Sequence, residues 1–88
     1  MQLNQRLREL RAERRWTLRR QQGEILRQTG RRVSISYLSE LERGLAEHVS
    51  LTTLQAVASG YGMNAGEVLV GTGYGEWTIR AYSSTSPK

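Results

Sequence analysis

The sequence predicts an all-α fold, a compact five-helix bundle followed by a short extended C-terminal segment. The main observation is a helix-start signal that occurs three times, a small polar N-cap whose apolar predecessor can pack against an apolar residue five positions beyond it. The three copies are Val33-Ser34 with Leu38, Val49-Ser50 with Leu54, and Met63-Asn64 with Val68. Each helix so started runs into a glycine, at Gly44, Gly62 or Gly71, and glycine adopts the left-handed conformation that ends helices without steric cost.

Two further helices are predicted before the first of these signals. The first is amphipathic and ends near Arg15, after which Trp16 is expected to face the core. The second begins after the N-cap Thr17 and ends at Gly30. The apolar stripe of the first helix consists of Leu3, Leu7 and Leu10. The expected buried face of the second consists of Leu18, Gln22, Ile25, Leu26 and Thr29.

The remaining helices are predicted over residues 35–43, 51–61 and 65–70. The first of these should bury Leu38 and Leu41 and turn a polar face outward. Asn64 and Glu67 have the spacing of a capping box at the start of the last helix. The expected core residues of the last two helices are Leu51, Leu54, Val57, Ala58, Tyr61, Val68 and Leu69. Because a short turn precedes it, the helix over residues 35–43 is interpreted as the second helix of a helix-turn-helix.

The composition changes after the fifth helix, which divides the chain into a domain over residues 1–71 and a glycine-rich linker with an extended tail over residues 72–88. Residues 76–82 are predicted to form a strand. The large apolar residues of this strand are Trp77, Ile79 and Tyr82. They could pair across a dimer, dock on the bundle, bind a partner protein, or belong to an unstructured extension.

Positive charge is concentrated in the first part of the chain. The net charge is +5, and residues 1–32 hold ten arginines and three glutamates whereas residues 33–88 have a net charge of −2. This asymmetry is typical of a domain that binds the phosphate backbone of nucleic acid, with a merely solvated arginine-rich surface as the alternative. Arg19, Arg20 and Arg27 fit both alternatives equally. The arginines interpreted as plain surface are Arg6, Arg8, Arg14 and Arg15.

The composition argues against an enzyme and against a bound cofactor or metal. The chain has no cysteine, no aspartate and a single histidine, His48, so it offers neither a metal-ligand set nor an acid–base triad. Gly71, Gly73 and Gly75 are not followed by a helix start, which excludes a phosphate-binding loop there. Without cysteines, a secretory signal or a membrane span, the expected location is the cytoplasm, in association with the nucleoid.

Several segments resemble the lambda-repressor/Cro-like helix-turn-helix proteins, also called the xenobiotic-response-element type. Residues 33–44, VSISYLSELERG, resemble the recognition helix of that family, and residues 7–14, LRELRAER, resemble its first helix. Residues 50–69 resemble its fourth and fifth helices, so that the likeness covers about residues 3–71. The chain departs from the family pattern by about four extra residues between Thr17 and Ile25, roughly one helical turn, and by the enlarged turn at Arg31-Arg32.

The resemblance implies a five-helix bundle that binds the major groove of double-stranded DNA, usually as a homodimer. Residues at or near base edges would be Ile35, Ser36, Tyr37, Ser39 and Glu40. Expected phosphate contacts are Gln22 and Arg43, by resemblance, and Arg31 and Arg32, which flank the same helix. The resemblance also implies a structural ion pair between Arg11 and Glu42.

The function that follows is that of a phage or bacterial transcriptional regulator, a repressor that acts by occupying its operator. If about five phosphates are neutralised per protomer, the logarithm of affinity should fall with the logarithm of salt concentration with a slope of about −9 for a dimer. The alternative is a protein-interaction module of the same fold, such as an antitoxin or a polymerase-binding regulator. It arises because the outward face of the third helix has no arginine or lysine before Arg43.

Overall fold

A computed structural model describes residues 2–46, 49–70 and 72, and all regular secondary structure in them is helical. The five helices are α1 (Leu3–Arg14), α2 (Leu18–Thr29), α3 (Ile35–Arg43), α4 (Leu51–Gly60) and α5 (Ala65–Leu69). The predicted all-α fold is therefore confirmed. The predicted tail, including Trp77, Ile79 and Tyr82, and also His48, lie outside the described residues.

The helix starts are capped by the side chains that the sequence pattern indicated. Thr17 accepts a hydrogen bond from the Arg20 backbone N–H at 3.0 Å, and Ser34 accepts one from the Tyr37 N–H at 3.1 Å. Ser50 caps α4 in the same way. In α5 the capping box is complete, with reciprocal bonds between Asn64 and Glu67 of 2.8 and 2.9 Å. Each cap satisfies N–H groups that have no partner within the helix and so fixes where that helix begins.

Left-handed residues end the first three helices. Gly30 ends α2 and Gly44 ends α3, with φ angles of 75° and 74°. Gly44 and Leu45 also return their N–H groups to the last turn of α3, which stops that helix sharply. Arg15, after α1, also adopts the left-handed conformation, with φ 55°.

The hydrophobic core consists mainly of the predicted residues, with two corrections in α2. Gln21, not Gln22, is the buried glutamine, and Leu26 is 43% exposed. Both errors have one cause. Gln21 shares a helix face with Ile25, whereas Gln22 shares one with Leu26, and only the packed fold shows which of these two faces is turned inward. Trp16 is only partly buried and stacks on Tyr61, with ring centroids 5.6 Å apart.

A close backbone approach in the core joins α2 to α4 at Gly60. A Cβ atom built on Gly60 would lie 2.6 Å from Ile25 Cγ1 and 3.2 Å from the Ile25 backbone N. No larger residue fits at this position without moving one of the two helices. Because α2 also packs on α3, this contact fixes how the helix-turn-helix sits on the rest of the bundle.

No helix in the described residues combines the length and the apolarity needed to cross a bilayer. The same residues contain no group of three or more His, Asp or Glu side chains placed to hold a metal ion.

Candidate nucleic-acid interface

The outward face of α3 is polar and accessible. Ser36 and Glu40 are exposed, and Ile35 and Ser39, beside them on the same face, are half-buried. Tyr37 is also half-buried and packs against the core, while Leu38 and Leu41 on the opposite face are almost fully buried. The helix therefore presents to solvent four of the five residues that sequence analysis placed at base edges.

The start of α3 is held by α2. The Gln22 side-chain amide donates a hydrogen bond of 2.9 Å to the backbone carbonyl of Val33, the residue just before the Ser34 cap. Val33 is itself buried, so the segment that leads into α3 has both a polar and an apolar attachment. Gln22, which was expected to contact a DNA phosphate, thus lies beside the first turn of α3 and stabilises the segment that leads into it.

The end of α3 is held by two arginines of α1. Arg11 and Glu42, the pair implied by the family resemblance, form a bidentate contact with Nε–Oε2 and Nη2–Oε1 distances of 2.7 and 2.8 Å. Arg8 donates a 2.6 Å hydrogen bond to the Glu42 backbone carbonyl. The hydrogen bonds that Arg11 donates to the Glu42 carboxylate raise the pKa of Arg11 above its ordinary value, although burial acts in the opposite direction. Together these bonds fix the orientation of α3 relative to α1.

Three exposed arginines flank α3. Arg31 and Arg32 lie in the turn between α2 and α3, and Arg43 is the last residue of α3. The Thr29 hydroxyl orders the beginning of this turn, because it accepts from the Arg31 N–H at 3.0 Å and donates to the Ile25 carbonyl at 2.7 Å. None of the three guanidinium groups has an acceptor among the described residues. Their charge is therefore available to an anionic partner.

The arginines of α1 have a different role from the one expected. Arg6, Arg8 and Arg14, interpreted above as plain surface, each donate to backbone carbonyls at the C-terminal end of another helix. The acceptors are the carbonyls of Glu67 and Val68 in α5, of Glu42 in α3, and of Tyr61 after α4. The last carbonyls of a helix lack partners within it and attract cations. Much of the positive charge in α1 therefore stabilises the bundle.

A second group of cations is compensated on the exposed side of α2. Glu24 accepts a hydrogen bond from Arg20 at 3.0 Å and another from Arg27 at 3.2 Å. These two bonds lower the pKa of Glu24, with Arg27 as the larger cause. Arg20 also lies 5.2 Å from the centroid of the Trp16 ring. These contacts were not predicted from the sequence, which did not distinguish Arg19 from Arg20 and Arg27.

Over most of this chain's own length, its sequence is similar to that of a curated regulator. It is 43% identical over 82 residues to the HTH-type transcriptional regulator DdrOP3 of Deinococcus deserti. The alignment covers 92% of this chain and 58% of that regulator, so the chain spans little more than half the length of its relative. No protein-family model matches the chain.

Proposed function

We propose that the chain is a sequence-specific, double-stranded DNA-binding transcriptional regulator of the lambda-repressor/Cro-like type, and that it represses by occupying its operator. The similarity to an HTH-type transcriptional regulator supports the general function. The observation that carries the proposal is α3 itself, a short helix fixed at both ends whose accessible face is polar. A rigid helix of this kind is what the major groove accommodates.

The exposed side chains of α3 suggest which base edges it reads. Ser36 and Ser39 can donate to or accept from a base or a phosphate, Ile35 can contact a thymine methyl group, and Glu40 can accept from the amino group of cytosine. No arginine or lysine precedes Arg43 in this helix. We therefore expect an operator in which thymine and cytosine contacts matter more than the arginine–guanine contact that is commonest elsewhere. Tyr37, half-buried, would contribute at the edge of this surface.

Phosphate contacts would come from Arg31, Arg32 and Arg43. Their exposure on both sides of α3 supports this role, since cations beside the reading helix hold it in register without reading sequence. Gln22 would contribute from α2, because its amide has a second N–H besides the one that bonds Val33. These contacts would supply most of the affinity and make it depend on salt.

Residues 1–71 would form the DNA-binding domain, and residues 72–88 a linker and tail. Two copies bound about 34 Å apart, one turn of DNA, would read a two-fold-symmetric site. Trp77, Ile79 and Tyr82 are large apolar residues that could join the two copies or bind a partner protein. Such a regulator would act in the cytoplasm, associated with the nucleoid, and would need no cofactor.

Selection from a random duplex pool tests this proposal. The purified protein, at near-physiological salt, should enrich a two-fold-symmetric sequence with half-sites about 10 base pairs apart. Its affinity for unselected duplex should fall steeply as salt is raised. Absence of enrichment together with a flat salt response would overturn the proposal and favour the protein-interaction module instead.

A further inference from the structure

The three arginines in the first half and the last turn of α2 differ in what they bind. Arg20 and Arg27 share the Glu24 carboxylate, whereas Arg19 has no hydrogen-bond or ion-pair partner among the described residues. Arg19 is also exposed. Within α2, Arg19 is thus the arginine whose charge is not compensated by a neighbouring carboxylate.

Arg19 also lies on the side of α2 that meets α3. It precedes Gln22 by three residues, and residues at this spacing are neighbours on a helix surface. Gln22 is the residue whose amide bonds the Val33 carbonyl at the entrance to α3. Arg20 and Arg27 are turned away from Gln22 around the helix axis, and Arg20 lies over the Trp16 ring instead. Arg19 therefore lies one helical turn from Gln22, the residue of α2 that contacts the entrance to α3.

The first turn of α2 carries this cation. The helix begins at Leu18, so its first turn precedes Gln22, and Arg19 belongs to that turn. Four other arginines are without an acceptor among the described residues: Arg15, Arg31, Arg32 and Arg43. Three of them flank α3, so that Arg19 would extend the same set of uncompensated charges to the α2 side of the first turn of α3.

We propose that Arg19 binds a backbone phosphate beside the groove that α3 enters. This inference rests on the proposed function and adds to it one phosphate contact from the first turn of α2. A free guanidinium group is well suited to a phosphodiester, which it can bind through two N–H donors. The contact would raise affinity for any duplex sequence equally.

The test compares Arg19→Gln with Arg27→Gln, which remove the same charge from the same helix. Affinity for an unselected duplex is measured over a range of salt concentrations. Arg19→Gln should weaken binding about fivefold per protomer at 0.15 M salt and reduce the magnitude of the salt slope by about one, whereas Arg27→Gln should change affinity less than about twofold. Equal effects of the two variants would overturn the inference, because only net charge would then matter.

A second measurement locates the contact. In a series of duplexes, a neutral methylphosphonate replaces one phosphate at a time. At one position of this series, the wild type should no longer bind more tightly than Arg19→Gln. If every position leaves that advantage intact, no phosphate is bound by Arg19 and the inference is wrong. Since the wild type serves as the reference, its failure to bind any duplex would overturn the proposed function, whereas wild-type binding without an Arg19 effect overturns only this inference.

Discussion

Arg11 of α1 and Glu42 of α3 form a bidentate ion pair in which the Glu42 side chain is only 7% exposed and that of Arg11 is 28% exposed. Arg11 also donates to the Trp16 carbonyl at 2.8 Å, so one guanidinium group joins α1, the α1–α2 loop and the end of α3. The pair thus connects the core to the surface proposed to bind DNA.

Replacing Glu42 by alanine should destabilise the protein by about 3 kcal/mol, because the partly buried Arg11 guanidinium group loses its carboxylate partner and keeps only the Trp16 carbonyl. Affinity for duplex should fall in proportion, since α3 loses its attachment to α1. Glu13→Ala, at an exposed site on α1 with no hydrogen bond or ion pair among the described residues, should change stability by less than about 0.5 kcal/mol. Lost affinity in Glu42→Ala with unchanged thermal melting would contradict a structural role.

Alanine at two helical glycines should have opposite effects. Gly60→Ala places a methyl group against Ile25 and should cost about 2–3 kcal/mol, because the contact includes backbone atoms that cannot rotate away. Gly23→Ala, in the middle of α2 with nothing within 4 Å of the new atom, should stabilise by about 0.5–1 kcal/mol. Denaturant unfolding measures both. A neutral Gly60→Ala would show that α2 and α4 are not in this close contact.

Tyr61 contributes its ring to the core but not its hydroxyl. The hydroxyl is buried and has no hydrogen-bond partner among the described residues, whereas the ring stacks on Trp16. Tyr61→Phe should therefore leave stability unchanged or raise it by up to about 1 kcal/mol. Tyr61→Ala should cost about 3–5 kcal/mol. A large loss in Tyr61→Phe would show that the hydroxyl does have a partner.

The same residue makes stability sensitive to alkaline pH. Burial raises the pKa of Tyr61 above its ordinary value of 10.0, with the Glu42 charge acting in the same direction. The folded state therefore holds this proton more tightly than the unfolded state does. The stability that protonated Tyr61 contributes to the folded state is complete below pH 10. It is lost as the pH rises further, towards the folded-state pKa. Unfolding measured from pH 9 to 11 should show a steeper alkaline loss for the wild type than for Tyr61→Phe.

Helix limits were predictable because their signals are local. A cap such as Ser34 bonds the N–H three residues later, and Gly44 adopts its own left-handed conformation, so both effects lie within a few residues of sequence. The polar face of α3 was predictable for the same reason, since Leu38 and Leu41 fix which side is buried.

The partners of the charged residues were not predictable in this way. Arg6 contacts carbonyls 61 and 62 residues away, and Arg14 one that is 47 residues away. Such bonds exist only once the helices have packed, and no local sequence signal indicates them. The charge asymmetry of the chain thus predicted an anionic partner, but it overstated how many cations are free to bind one.

The salt dependence of DNA binding should reflect this smaller number. With Arg19, Arg31, Arg32 and Arg43 as the phosphate contacts, four per protomer, the salt slope for a dimer should be about −7 instead of the value of about −9 expected from sequence. Arg8→Gln should reduce stability and leave the slope unchanged, because its guanidinium group is bonded to Glu42. A slope that falls by about one per protomer in Arg8→Gln would show that α1 contacts DNA.

The most direct test of the central claim, that the outward face of α3 reads base edges, is the ratio of affinities for the enriched duplex and for a scrambled one. In Ser36→Ala/Glu40→Ala, which changes two exposed residues of α3, this ratio should fall about tenfold or more while binding to the scrambled duplex persists. Gln28→Ala, at an exposed position on α2, should leave the ratio unchanged. A double variant of α3 that discriminates as well as the wild type would contradict the account.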